Sequence, residues 1–154
     1  MSIILGLNSN HADSSVCVIK DGKILFGIEE ERINRVKHWA GLPINSIKET
    51  LKSTNINANE ITDISINTNP LSNVNQKILY FLKNYLSGKK KYEIINRLKK
   101  KINLKKDINN HLKFEFLNSK VKIHYVDHHL SHIASAFYPS NFDEAVGLSI
   151  DGFG

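Results

Sequence analysis

The stretch IILGLNSNHADSSVCVIKDGKILFGIE, residues 3–29, contains three short runs that are rich in apolar and β-branched residues. Strands favour residues of this kind. Between the second and third runs lies Asp21-Gly22, a strong signal for a hairpin turn, because both central positions of the favoured turn need a positive φ. Ser15–Lys20 and Lys23–Glu29 are therefore predicted to pair as a hairpin, and the whole stretch is predicted to form three antiparallel strands.

Outward from this meander, the pattern changes from strands to helices. A polar loop, residues 8–14 (NSNHADS), joins the first two strands, and a charged link follows the third at residues 29–38. Pro43 then starts a predicted helix, since its missing N–H costs nothing in the first turn, and apolar residues follow it at helical spacing. Residues 64–68 (ISINT) predict a fourth strand.

The second half of the chain repeats this alternation around a basic segment. Apolar stripes with lysines opposite them predict a basic helical insertion at about 72–118. Residues 121–126 predict a strand that runs directly into a helix, and residues 145–150 (AVGLSI) predict a short buried strand.

The last four residues, Asp-Gly-Phe-Gly, follow that final apolar run as a polar, glycine-rich loop. This order echoes the first strand and its loop. We therefore expect the chain to be the N-terminal part of a longer protein. Residues 1–142 would form one lobe, and residues 143–154 would form the first strand and loop of a second lobe.

The net charge of +6 suggests nucleic acid as a partner, but the basic residues are concentrated in one segment. Residues 83–106 contain ten basic residues and one acid, which leaves 11 basic and 14 acidic residues elsewhere. A solvated amphipathic helix is favoured for this segment over binding to RNA or to an anionic membrane. We therefore expect no nucleic-acid partner.

The length fits one domain, and no apolar stretch is long enough to span a bilayer. The N-terminus lacks the basic start and the cleavage site of a secretion signal. Cys17 is the single cysteine, so no internal disulfide can form, and it lies in a strand pattern, where a core role is favoured over a nucleophilic one. These features predict a cytoplasmic protein without a membrane partner.

Three of the seven histidines lie within the stretch VDHHLSHIASAFYP, residues 126–139. His128 and His132 are four residues apart, so on a helix they share one face and can offer two nitrogens to one metal ion. Spacing alone does not distinguish such a pair from two structural or solvated histidines. Asp127 is either the acceptor for an imidazole N–H or the N-cap of the helix, and the cap is favoured.

The order of strands and helices resembles the actin-like, or ASKHA, fold, in which two ribonuclease-H-like lobes hold nucleotide phosphates between paired loops. The residues resemble the O-carbamoyltransferases of the NodU/CmcH type more closely. Two motifs carry this resemblance: His-x-x-Ser, Asp-Gly, Glu-Glu-Arg and Lys-His in residues 2–52, and Asp-His-His-x-x-His-x-x-Ala with Asp-Gly-x-Gly in residues 121–154. The expected fold class is thus α/β, an actin-like lobe whose mixed sheet has three antiparallel N-terminal strands flanked by helices.

The resemblance implies a reaction and its co-substrates. A separate YrdC-like domain, absent from this sequence, would make carbamoyl-adenylate from carbamoyl phosphate and ATP. The actin-like domain would then transfer the carbamoyl group to a hydroxyl group of a small-molecule acceptor. The resemblance also implies that His128, His132 and Asp151 bind Fe²⁺, although this ligand set also admits Zn²⁺ or Mn²⁺. This chain alone is then expected to be inactive.

Further site residues follow from the same motifs. His11 is a candidate general base for the acceptor hydroxyl or a contact to the carbamoyl group, and Lys37 and His38 are candidates for stabilising developing negative charge. Phosphate binding is expected at four positions: Asp13, Ser14, Gly152 and Gly154. Each has a plainer alternative. His11 would be an exposed loop histidine, and Lys37 and His38 would belong to a solvated charged link. Asp13 and Ser14 would make side-chain turn bonds, and Asp151 and its glycines would form a turn.

Two other functions compete with carbamoyl transfer. One is a tRNA-modification relative or a basic nucleic-acid-binding module, although such relatives carry an acidic pair where this chain has NHADSS. The other is an inactive remnant of a truncated gene. The acceptor is left open between an antibiotic, a sugar and a lipo-oligosaccharide.

Overall fold

The computed structural model describes residues 1–68, 106–108, 110 and 120–150. Most of the predicted insertion at about 72–118 lies outside the described residues. Asp151, Gly152 and Gly154 also lie outside them. The predictions for these positions therefore stay predictions.

A five-stranded mixed sheet forms the centre of the described part of the chain. Its strands are β1 (Ile3–Asn8), β2 (Ser15–Lys20), β3 (Lys23–Glu29), β4 (Asp63–Ile66) and β5 (Lys122–Tyr125). The spatial order is β3-β2-β1-β4-β5. β1, β2 and β3 are antiparallel neighbours, whereas β4 runs parallel to β1, and β5 runs parallel to β4.

The predicted meander is confirmed, and its turn explains the register. Asp21 and Gly22 both adopt positive φ, 47° and 81°, as the two-residue hairpin turn requires. The turn places Lys20 opposite Lys23, and β1 pairs with β2 from Ile3 opposite Lys20 to Asn8 opposite Ser15. The fourth and fifth strands also form where they were predicted. β4 begins one residue earlier and ends two residues earlier than predicted, and β5 is one residue shorter at each end.

Three α-helices have described bounds: α1 (Glu30–Asn34), α2 (Ile44–Thr54) and α3 (His128–Phe137). The described residues 106–108 and 110 are also helical. A short 3-10 helix at Ala58–Glu60 precedes β4. α2 begins directly after Pro43, as predicted. The prediction of a solvated charged link at residues 29–38 is wrong in its first half, because α1 forms there and its first residue, Glu30, is buried.

The core lies on one face of the sheet. Along β1, Ile3, Leu5 and Leu7 are buried, which is the period-2 alternation of a sheet with one covered face. Val16 and Val18 of β2 and Ile64 and Ile66 of β4 join the same cluster, as does Ile47 of α2. Each such side chain contributes about 1.5–3 kcal/mol by leaving water, so the covering helix is stabilised mainly by this contact.

Residues 145–150 differ from the prediction of a buried strand. They have no regular secondary structure, and Val146, Leu148 and Ile150 are exposed. A strand needs a neighbour for its backbone hydrogen bonds, and no strand of the described ranges pairs with this segment. Its assignment to a second lobe stays a prediction.

The fold class is α/β with a mixed sheet, as predicted, and the strand order is that expected of an actin-like, ribonuclease-H-like lobe. In the described ranges, no helix is both long enough and apolar enough to cross a bilayer.

Candidate active site at the carboxyl edge of the sheet

The carboxyl ends of the three parallel strands meet at one edge of the sheet. Loop 8–14 follows β1 there, Asn67 follows β4, and two residues separate the end of β5 from the start of α3. In open α/β sheets, ligands bind outside the carboxyl ends of the strands. The Asn67 side chain donates from Nδ2 to Oδ1 of Asn8, 3.0 Å away, and so holds two of the three strand ends together.

Loop 8–14 is held in shape by its own hydrogen bonds. Nδ2 of Asn8 donates to the carbonyl oxygens of Ala12 (3.3 Å) and Asp13 (2.9 Å). Asn10 and Asp13 adopt left-handed backbone conformations, with φ of 56° and 59°, which Asn and Asp tolerate better than most residues. The loop is therefore a fixed turn over the sheet edge.

Ser14 ties this loop to the segment before α2. Its side chain is fully buried, and Oγ donates towards the carbonyl oxygens of His11 (3.0 Å) and Gly41 (2.8 Å). Its backbone N–H donates to the carbonyl oxygen of Trp39. The hydroxyl thus makes the turn bonds that the sequence left open as the alternative to phosphate binding.

A second contact between the same segments joins Asp13 to His38. Nδ1 of His38 lies 2.9 Å from Oδ1 of Asp13, and both side chains are largely exposed. This hydrogen bond, the negative charge of Asp13 and the more distant charge of Glu31 raise the pKa of His38. Lys37 is exposed in the same turn. The structure therefore brings together two residues that the sequence had assigned to different roles.

The histidines of α3 lie beside this loop. Nε2 of His128 and Nε2 of His132 are 3.3 Å apart, and their ring centroids are 4.6 Å apart. The ring of His11 lies 5.6 Å from that of His128. Nδ1 of His129 contacts Oγ of Ser149, and the His129 ring lies 5.9 Å from that of His128.

The spacing of the two Nε2 atoms fits a shared metal ion. Two nitrogens that each lie about 2.0–2.1 Å from one ion are about 3.3 Å apart at a tetrahedral angle. No three His, Cys, Asp or Glu side chains in the described ranges are arranged to hold a metal, and Asp151 lies outside those ranges. The structure thus brings together two of the three predicted metal ligands and does not test the third.

α3 begins with a side-chain cap at this edge. Asp127 has an extended backbone, and its Oδ1 accepts a hydrogen bond from the backbone N–H of His129 at 3.1 Å. The cap role that the sequence favoured for Asp127 is confirmed. The cap fixes where the helix starts and so places His128 in its first turn.

Sequence reasoning missed the residues that build the edge. Asn8, Asn67 and the backbone of Trp39 and Gly41 hold loop 8–14, but none carries a motif that singles it out. Their partners are distant in sequence, as in the bond between Asn8 and Asn67. Oδ1 of Asn67 is buried and has no hydrogen-bond partner among the described residues. The only signal in the sequence was an asparagine directly after each of two apolar strand patterns.

Comparisons with known proteins agree with the motifs. The chain matches the family described as Carbamoyltransferase N-terminus over residues 3–154. It is 33% identical over 160 residues to the uncharacterized protein sll1178 of Synechocystis sp., covering 100% of this chain and 26% of that protein. It is 29% identical over 145 residues to the nodulation protein NolNO of Sinorhizobium fredii, covering 92% of this chain and 20% of NolNO.

Among solved structures, YeaZ from Pseudomonas aeruginosa aligns with a TM-score of 0.45 at 14% identity, covering 90% of this chain and 49% of YeaZ. The chain spans about a quarter or less of the length of the two curated relatives. The family match, by contrast, extends over almost every residue of the chain, so the chain belongs to the Carbamoyltransferase N-terminus family.

Proposed function

We propose that this chain supplies the donor-binding edge of a metal-assisted carbamoyltransferase. The carbamoyl group would pass from carbamoyl-adenylate to a hydroxyl group of a small-molecule acceptor. One observation carries the proposal: loop 8–14, the pair Asp13–His38 and the histidines of α3 converge at the carboxyl edge of the sheet in a member of this family.

The loop and the helix suit the phosphate of the adenylate. Asn10 and Asp13 in loop 8–14 adopt the left-handed conformation that recurs in anion-binding turns. α3 has ten residues and begins at the same edge, where its partial positive charge favours an anion. Gly152 and Gly154 would complete the phosphate contacts from the following loop.

His128 and His132, together with Asp151, would hold the divalent metal, with Fe²⁺ as the expected ion. The 3.3 Å spacing of the two Nε2 atoms supports this assignment. When bound, such an ion would orient the adenylate and polarise its acyl oxygen. His11, whose ring is 5.6 Å from that of His128, would contact the carbamoyl group, and Lys37 would stabilise developing negative charge.

The test is a transfer assay with the polypeptide encoded by the complete reading frame that contains this chain. It is incubated with carbamoyl phosphate, ATP, Fe²⁺ and a YrdC-like domain, and with a panel of antibiotic, sugar and lipo-oligosaccharide acceptors. Radiolabelled carbamoyl groups on the acceptor are counted. We expect transfer that depends on carbamoyl phosphate and that falls by at least 100-fold in His128→Ala and in His132→Ala.

His129→Ala is the matched control, since it removes a neighbouring imidazole that is not a proposed metal ligand and whose Nδ1 contacts Ser149. It should retain transfer. Acceptor-dependent AMP release serves as a second readout, because each transfer frees one AMP. A complete absence of acceptor-dependent AMP release with every acceptor class would refute the proposed function.

A further inference from the structure

The contact between Asp13 and His38 fixes which nitrogen of the imidazole can act as a base. A carboxylate can only accept, so the 2.9 Å contact at Oδ1 of Asp13 requires a proton on Nδ1 of His38. In the neutral ring the lone pair is then on Nε2. Within the described residues, Nε2 makes no hydrogen bond, and the His38 side chain is 77% exposed, so solvent can reach this nitrogen.

Both backbones are shaped to make this contact. Asp13 and His38 have φ of 59° and 54°, left-handed conformations that Asp and His adopt more readily than most residues but that still carry strain. The surrounding hydrogen bonds impose them: the N–H of Asn10 donates to the carbonyl oxygen of Gly41, and the N–H of His38 donates to Oε2 of Glu31. Strained residues held in this way cluster at functional sites.

The pair also lies next to the groups that would bind the donor. Asp13 is two residues after His11, whose ring contacts that of His128. An acceptor hydroxyl that approaches a carbamoyl group at His11 would therefore meet the loop that carries Asp13. A general base within hydrogen-bond reach of that hydroxyl is what the transfer requires.

We propose that His38 is the general base for the acceptor hydroxyl and that Asp13 is its positioning residue. The inference rests on the proposed function. In the step, Nε2 of His38 takes the hydroxyl proton while the acceptor oxygen bonds to the carbamoyl carbon. The bond from that carbon to the phosphate oxygen breaks, and AMP leaves with the electron pair. The imidazolium then returns its proton to solvent.

The charges around His38 set the expected pH dependence. Asp13 faces its Nδ1, and Glu31 of α1 faces its backbone; these groups raise the pKa of His38. His38 must be neutral to act as a base. The rate should therefore rise as the pH rises through this raised pKa and level off above it.

Asp13→Asn removes the charge and the hydrogen bond that stabilise the imidazolium. The pKa of His38 should fall, so that the rising limb of the pH–rate profile moves to lower pH. The plateau rate should fall as well, by about 100-fold or more, because the amide can hold the wrong tautomer. Asp21→Asn, at the turn on the opposite edge, is the matched control and should change neither the limb nor the plateau.

Two measurements test this independently. The NMR titration of the His38 ring in this chain gives its pKa with and without Asp13, and the transfer assay gives the limb of the pH–rate profile. We expect Asp13→Asn to shift the NMR pKa of His38 and the rising limb of the pH–rate profile by the same amount. His38→Gln should show no rising limb. If the wild type transfers carbamoyl groups but the rising limb of the pH–rate profile does not move in Asp13→Asn, this inference alone is overturned. No transfer in the wild type would overturn it together with the proposed function.

Discussion

Glu30 is a buried carboxylate that joins the end of β3 to the start of α2. Its Oε1 accepts from the side-chain Nδ2 of Asn45 at 2.7 Å and from the Asn45 backbone, and its Oε2 accepts from the backbone N–H of Ser46 at 2.7 Å. The backbone N–H groups of Asn45 and Ser46 belong to the first turn of α2, which lacks a side-chain cap of its own. A negative charge there also offsets the positive end of the helix dipole.

Glu30→Ala should lower the free energy of unfolding of this chain by about 2–3 kcal/mol, because it leaves a buried N–H without an acceptor and opens a cavity. Glu30→Gln keeps the volume and one acceptor, so its loss should be smaller. Glu29→Gln is the control: that side chain is 44% exposed and, among the described residues, pairs only with Arg32, so the substitution should cost less than about 0.5 kcal/mol. Equal effects of the two glutamine variants in urea unfolding would contradict this role of Glu30.

At the scale of elements, α3 is the helix that presents the histidine pair. Its start is fixed by Asp127, and the four-residue spacing then places His128 and His132 on one face, one turn apart. The pair therefore depends on the helix being formed. A metal ion bound to both side chains would favour the folded state over the unfolded chain.

Zn²⁺ should accordingly raise the free energy of unfolding of this chain, by about 1.4 kcal/mol when free Zn²⁺ is ten times its dissociation constant. The measurement is urea unfolding at graded Zn²⁺. His128→Ala and His132→Ala should each remove most of the gain, and His129→Ala should keep it. A gain that survives His132→Ala would place the metal elsewhere in the chain.

β4 and β5 carry a diagonal pair on the exposed face of the sheet. Nε2 of His124 lies 2.7 Å from Oδ1 of Asp63, and this hydrogen bond is the main cause that holds the pKa of Asp63 below its ordinary value. Lys122 acts on the same carboxyl group only through its charge and more weakly. The pair joins two parallel strands that are each only four residues long.

His124→Ala should therefore raise the pKa of Asp63 towards the usual aspartate value, whereas Lys122→Ala should move it less. A carboxyl group with a depressed pKa stabilises the fold above its unfolded pKa, and this contribution is lost as the pH falls through the folded pKa. The loss of stability below about pH 4 should be shallower in His124→Ala. The side-chain carboxyl resonance of Asp63 reports the change in its pKa. The expectation fails if Lys122→Ala changes this pKa as much as His124→Ala does.

For the whole molecule, local signals predicted the elements and long-range contacts decided the site. The turn at Asp21 and Gly22, the start at Pro43 and the cap at Asp127 each act within a few residues, and the structure has all three. The contact of Asp13 with His38 spans 25 residues and depends on how two loops meet over the sheet edge. No pattern along the sequence encodes that distance.

The burial of Glu30 was missed for the same physical reason. A run of glutamate and arginine predicts a solvated segment, because charges avoid low-dielectric surroundings. Here the first turn of α2 offers N–H donors that replace the water, and those donors come from residues 15 and 16 positions away. The prediction for residues 145–150 was wrong in the opposite direction. Their apolar side chains predicted a buried strand, but the described residues offer no strand for this segment to pair with.

That exposed segment gives the last prediction for the molecule as a whole. Val146 is fully exposed, and Leu148 is 82% exposed, so neither contributes apolar burial to this fold. Val146→Ser with Leu148→Ser should leave the free energy of unfolding unchanged within about 0.5 kcal/mol. The double variant should also bind less of the dye ANS and associate less at high concentration, because an exposed apolar patch has been removed.

Gly147→Ala tests the same segment from its other side. A methyl group at Gly147 would lie 2.7 Å from Cγ2 of Ile133 on α3, so the segment must shift away from the helix to accept it. Gly147→Ala should therefore displace resonances of α3 in NMR spectra, whereas the double serine variant should leave the free energy of unfolding unchanged. A loss of more than about 1.5 kcal/mol in the serine variant would mean that residues 145–150 are buried in solution, for example between two copies of the chain. Measuring the loss at two protein concentrations separates that case, because burial between copies makes stability depend on concentration.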